Sequence, residues 1–160
     1  SKSSGGAFFK AEEAAKAELP LEGTVLISVN RQEKPEVPEV AKLLHDNGFN
    51  IVATGTTYDL IVENGIPAKR VNKLYEGRPH ITDHIANGEI QLIINSPAGK
   101  ESIHDDSYLR KAAVKYKIPY ITTIAAGRAA AEGIDHLRKR HMGEIHSLQE
   151  WHKQIKELDD

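Results

Sequence analysis

The chain has 160 residues, 39% of them hydrophobic, and a formal charge of −2 from 21 basic and 23 acidic side chains. That size suits one domain with a sizeable core, and the balanced charge argues against nucleic acid or an anionic membrane surface as a partner. Cysteine is absent, which excludes a disulfide framework, a zinc–thiolate centre and thiol catalysis, and fits a reducing, cytoplasmic setting.

In chain order, Ser1 to Lys16 lacks the apolar core of a signal peptide, and no apolar run approaches the ~18–20 residues of a membrane span. Ser3-Ser4-Gly5-Gly6 reads as a flexible lead, and Ala7 to Glu18 as a short helix ended by Pro20. Residues 1–20 are therefore expected to be a linker with a helix, and 21–160 the folded domain. Thr24 to Val29 is a nearly continuous β-branched run, as expected of a strand buried on both faces. From Glu36 the period becomes helical: Val37, Val40, Ala41 and Leu44 make one apolar stripe, and Asn47-Gly48 stops it. Pro35 and Pro38 fit only at or near the first turn. Ile51 to Ala53 is the next strand, followed by a helix from about Thr57 to Asn64. Arg70 to Leu74 reads as a strand, His80 to Ala86 as a helix, and Ile90 to Asn95 as a buried strand. Ser107 to Lys117 is helical, with Leu109, Ala112, Ala113 and Tyr116 on one stripe. Tyr120 to Thr123 is a strand and Ile124 to Leu137 an Ala-rich helix. A basic stretch, Arg138 to His141, reads as a solvated helix end, and Leu148 to Leu158 as a separate amphipathic helix.

Strands alternating with helices predict an α/β three-layer sandwich, a parallel sheet of about five strands with helices on both faces. Ligands of such folds gather outside the carboxyl ends of the strands. The polar residues that follow strands are therefore the candidates: Asn30 to Lys34, Thr54 to Thr57, Lys73 and Asn95-Ser96. In Ala53-Thr54-Gly55-Thr56-Thr57, Gly55 lets backbone approach a ligand, and Thr56 or Thr57 can cap the following helix. The free N–H groups and positive dipole end of that helix suit a phosphate or carboxylate. Lys34 and Lys73, both after strands, would complete an anion site. His80 and His84 stand at a spacing that can hold zinc, but no Glu follows His80 and no metal is expected. Ser28, Ser96 and Ser102 have no nucleophile-elbow context.

Gly23 to Val29, Ala53 to Thr57 and above all Val71-Asn72-Lys73-Leu74-Tyr75-Glu76-Gly77-Arg78-Pro79-His80-Ile81 resemble the C-terminal regulatory domain of the large chain of carbamoyl phosphate synthetase, bacterial type. Ile93 to Pro97 and Tyr120 to Thr123 match in order and spacing, so the likeness runs from about Ala7 to Ile155. The resemblance implies a methylglyoxal-synthase-like fold and a chain that is one piece of a glutamine-hydrolysing, ATP-dependent ligase of pyrimidine and arginine biosynthesis. ATP, magnesium and potassium ions would belong to the full-length enzyme, with no cofactor and no catalytic residue in this domain. Implied partners are the rest of the large chain, a glutaminase small subunit and a small effector such as UMP, IMP or ornithine. Carried over by position, Lys34, Thr54, Thr57 and Lys73 would bind phosphate, and Asn95 and Ser96 would lie beside base and ribose. Ser96 and Pro97 stand where threonines are usual, and Gly55 where some members have histidine. An alternative within the family is an oligomerisation module that self-associates and binds no effector. A second alternative, methylglyoxal synthase, needs a carboxylate base where this chain aligns Arg78, and an arginine cannot take that role near neutral pH.

Overall fold

The computed structural model describes residues 19–97 and 103–159. The expected lead and helix of residues 1–18 lie outside that range. One parallel sheet has the order β3-β2-β1-β4-β5, with β1 Thr24–Ser28, β2 Asn50–Ala53, β3 Lys69–Arg70, β4 Leu92–Asn95 and β5 Tyr120–Ile121. The helices are α1 Val37–Asp46, α2 Gly55–Glu63, α3 Ile81–Ala86, α4 Ile103–Lys115 and α5 Ile124–Asp159. Short 3-10 turns cover Lys34–Glu36 and Leu74–Glu76.

Strand β1 is central, with Val25 facing Ile51 of β2 on one side and Leu92 of β4 on the other. Its alternation divides the core in two. Val25 and Ile27 pack with α1, α2 and α5, while Leu26 packs with α3 and α4 on the opposite face. Both faces are thus covered, which is why the strands read as continuous apolar runs rather than alternating ones. In α1 the stripe Val37, Val40, Ala41 and Leu44 is wholly buried; each Val or Leu contributes about 1.5–3 kcal/mol by leaving water. Pro35 lies in the 3-10 turn and Pro38 in the first turn of α1, where neither removes a helical hydrogen bond.

Several expectations shift. Helix α2 begins at Gly55, two residues before the expected start, so Thr54 is its N-cap residue and Thr56 and Thr57 lie inside its first turn. Strand β3 ends at Arg70, because the chain turns at Lys73 into the 74–76 turn instead of continuing extended. Helix α4 begins earlier, at Ile103, and Tyr116 follows it half exposed instead of joining its buried stripe. Strand β5 ends at Ile121. The largest difference is α5, one helix of 36 residues where two helices and a basic break were expected. No proline interrupts it, and Asp135 pairs with Lys139 at i, i+4 at 2.9 Å, so Arg138 to His141 lie in the helix interior. None of the described helices is long and apolar enough to cross a membrane.

Candidate functional site

The strand order reverses beside β1: the chain steps from β1 outward to β2 and β3, then returns to β4 and β5. The crevice at such a point opens at the carboxyl edge, where the loops after β1, β2 and β4 part. Four of the five buried polar side chains among the described residues cluster there: Thr54, Thr57, Asn95 and Ser96.

Thr54 leaves β2 in extended backbone, and Gly55 then opens α2 with φ of +46°, a value that favours glycine. The Thr54 hydroxyl does not cap α2. It bonds Ser28 Oγ at the end of β1 at 2.6 Å, while Thr57 Oγ1 accepts the Val29 N–H at 3.4 Å. Both threonines thus pin α2 against β1 and form the floor of the site. The first-turn N–H groups of Gly55, Thr56 and Thr57 have no carbonyl within the helix to bond, and they point outward with the positive dipole end.

Two lysines from separate loops reach that helix end. Lys34, half-buried on the β1–α1 connection, donates from Nζ to Thr56 Oγ1. Lys73, from the segment after β3, lies over Gly55, with Nζ 3.8 Å from where a Cβ would stand. Backbone bonds from Val71 N to Ala53 O and from Ile81 N to Asn72 O, each 2.9 Å, hold that segment beside the end of β2. Glu76 accepts the Lys73 N–H at 2.7 Å and pairs with Arg70 at 3.5 Å. Asp83 accepts the His80 N–H at 2.9 Å and takes Arg78 on both oxygens, 3.2 and 2.5 Å. The Arg78 guanidinium, followed by the His80 N–H, lowers the Asp83 carboxyl to about 2. The Glu76 to His80 stretch is therefore a brace that shapes the Lys73 turn.

Asn95 and Ser96 end β4 on the other side of β1. Ser96 Oγ accepts the Asn30 N–H at 2.8 Å, and Asn95 Nδ2 donates to Tyr120 Oη at 2.7 Å. The structure therefore brings Lys34, Lys73 and the Thr54 to Thr57 turn together, and places Asn95 and Ser96 along the adjoining wall. His80 and His84 do not converge: His80 bonds Thr82 Oγ1 at 2.9 Å, and His84 faces Glu89 at 3.1 Å. Sequence reasoning does not single out Ser28, and it takes Glu33 only as one of the polar residues from Asn30 to Lys34. Their partners, Thr54 and Ile124, lie 26 and 91 residues away, and no local spacing signals such pairs.

A cavity of about 870 Å³ lies elsewhere, along β2 and β3. It is lined by Val52, Lys69, Asn72, His84 and Gln91 among others. It lacks Lys34, Lys73 and the first turn of α2, although Lys69 and Arg70 give it cations of its own.

What this arrangement can do chemically is hold a compact dianion: two ammonium groups, a helix N-terminus and a fixed hydroxyl floor around one point.

The chain matches the MGS-like domain family over residues 36–122. It is 43% identical to the carbamoyl phosphate synthase large chain of Methanothrix thermoacetophila, over 95% of this chain and 14% of that protein. It is 46% identical to the same protein of Gemmatimonas aurantiaca, over 93% of this chain and again 14% of the relative. It is 45% identical to the C-terminal section of that large chain from Aquifex aeolicus, over 91% of this chain and 28% of the relative. The chain thus spans less than a third of the length of these curated relatives. In three dimensions it is similar to the methylglyoxal synthase of Elizabethkingia anophelis, with a TM-score of 0.57 and 21% identity over 71% of this chain and 79% of that one. That likeness shows the fold, a parallel five-stranded sheet with helices on both faces. The chain belongs to the MGS-like domain family, in the form carried at the C-terminal end of carbamoyl phosphate synthase large chains.

Proposed function

We propose that this chain is a regulatory domain that binds a phosphate-bearing effector, a nucleoside monophosphate such as UMP or IMP, at the carboxyl edge of its sheet. In this reading it forms part of a carbamoyl phosphate synthase large chain and modulates glutamine-dependent carbamoyl phosphate synthesis. The rest of the large chain and a glutaminase subunit are its partners there, and ATP with its metal ions is handled outside this domain. One observation carries the reading: Lys34 and Lys73 come from separate loops and converge on the first turn of α2. A phosphomonoester carries between one and two negative charges near neutral pH. Bringing two cations to one helix end costs repulsion that a bound dianion would remove. Asn95 and Ser96, which end β4 across β1 and are themselves buried, are assigned in this reading to the side of the ribose and base.

The test is calorimetric titration of the wild type, Lys34→Ala and Lys73→Ala with UMP beside uridine and IMP beside inosine. A charge-assisted hydrogen bond is worth about 1.5–3 kcal/mol. Lys73→Ala should therefore weaken nucleotide binding roughly tenfold to a hundredfold. Lys34→Ala should act in the same direction. Equal binding of nucleoside and nucleotide by the wild type, or unchanged nucleotide binding by Lys73→Ala, would show the reading to be wrong.

A further inference from the structure

The turn that carries Lys34 is tied to the rest of the molecule at three places other than the anion site. Asn30 joins it to the end of β4, with its N–H on Ser96 Oγ and its side-chain amide on Pro97 O at 3.0 Å. Glu33, whose N–H bonds Asn30 Oδ1 at 3.0 Å, sends its carboxylate away from the site to α5, where Oε1 accepts the Ile124 N–H at 3.0 Å. Arg128, one turn further along α5, pairs with Glu39 at 2.6 Å and lies 3.8 Å from Glu36. Helix α5 is thus gripped at its first two turns by carboxylates flanking Lys34 in sequence.

Two buried polar atoms at this junction, Glu33 Oε2 and Arg128 Nε, have no hydrogen-bond partner among the described residues. A buried carboxylate oxygen without a partner is costly, and the positive end of α5 offsets part of that cost. Ile124 and Arg128 are four residues apart, hence on one face of the helix. The grip therefore combines hydrogen bonds with unmet bonding capacity along one helix face, and small changes in the turn alter it.

We propose that Glu33 is a positioning residue for the anion site: by holding the Lys34 turn against α5, it makes capture of a phosphate at Lys34 and the seating of α5 one linked event. This rests on the anion-site reading above. A lysine ammonium on a four-carbon stem reaches its target only as reliably as its backbone is placed. Glu33 fixes that backbone one residue away. By linkage, to the extent that the seated α5 favours anion capture at the Lys34 turn, a bound anion favours the seated α5 by the same factor. The carboxylate has a second, opposing effect, because its negative charge beside Lys34 disfavours a bound anion. The two effects separate by substitution: Glu33→Ala removes both anchor and charge, whereas Glu33→Gln removes the charge and keeps an acceptor oxygen.

The experiment is amide hydrogen exchange over residues 33–37 and 124–127, with and without UMP, alongside calorimetry, on the wild type, Glu33→Ala and Glu33→Gln. Without ligand, Glu33→Ala should speed exchange at 124–127 by roughly tenfold, and Glu33→Gln should restore most of the protection. With saturating UMP, the wild type should gain protection at both segments and Glu33→Ala at residues 33–37 alone. In calorimetry Glu33→Ala should weaken UMP roughly three- to tenfold, while Glu33→Gln binds at least as tightly as the wild type. A residue needed only for folding would not give that split. If the wild type binds UMP and residues 124–127 do not respond, or if Gln and Ala behave alike, the coupling is wrong. If the wild type binds no nucleotide although the ligand-free exchange responds as stated, the anion reading is at fault and the coupling falls with it.

Discussion

The loop that carries Lys34 is held from far along the chain, whereas the loop that carries Lys73 is held mainly by its own neighbours. Around Lys34 the anchors are Ser96, Pro97, Ile124 and Arg128, residues that only the folded sheet brings near. Around Lys73 they are Arg70, Glu76 and, further on, Arg78 with Asp83, all within ten residues of it, besides the one backbone bond from Val71 to Ala53 of β2. The first loop sits over the core; the second is largely exposed, with Tyr75 at 72%. A site made of one globally fixed cation and one locally fixed cation has two routes by which binding can be tuned. Changes anywhere in the α1–α5 packing reach Lys34, and only nearby changes reach Lys73.

The largest expected effect sets the two loops directly against each other. Ile124, 1% exposed at the foot of α5, lies in the core beneath the Lys34 turn. Ile124→Ala should cost about 2–5 kcal/mol in urea unfolding. Tyr75→Ala, beside Lys73, should stay within about 0.5 kcal/mol. Similar costs for both would break the distinction. Next is Gly55, which lies between the lysines. An added methyl has room, since its nearest neighbours would be the Lys73 Cε and Nζ at 3.8 Å, but the backbone φ of +46° disfavours any side chain. Gly55→Ala should cost about 1–2 kcal/mol in thermal or chemical unfolding. A neutral result would mean that the turn relaxes and that its anchors are weaker than drawn.

The smallest effect is on titration. Asp83 titrates at about 2, held down first by Arg78 and then by the His80 N–H, against an ordinary value of about 3.9. A depressed carboxyl contributes stability that is complete above its unfolded value and fades as pH falls through the folded one. The brace behind Lys73 should thus loosen only between about pH 4 and 2. Arg78→Ala should move the Asp83 midpoint upward, read by carbon NMR of the carboxyl. A midpoint that stays near 2 would assign the shift to the backbone contact instead.

The same division explains what the sequence makes legible. Strands β1, β2 and β4 and the α1 stripe are visible because burial on one or both faces imposes a pattern on consecutive residues. The Lys73 stretch is legible for a related reason: its anchors are its neighbours, so Glu76 and Arg78 stand in the string beside the lysine they support. Glu33 carries no such mark, because its partner is Ile124 and nothing between residues 33 and 124 encodes the encounter. The continuity of α5 is hidden for a different reason. The eye divides a helix where apolar periodicity fades, yet backbone hydrogen bonds continue through Arg138 to His141 as long as no proline intervenes.

At 1.5 Å per residue, the 36 residues of α5 form a rod about 54 Å long, nearly twice the ~30 Å breadth of a small domain. Ile134 is the last buried residue among its described ones, so the grip lies near one end. Such a rod is a lever with its fulcrum at the base. Tilting it by about 5° there sweeps the far tip through roughly 5 Å, on the order of one helical pitch. A displacement too small to disturb the packing around Ile124 therefore arrives at the other end as a step of about one helical pitch.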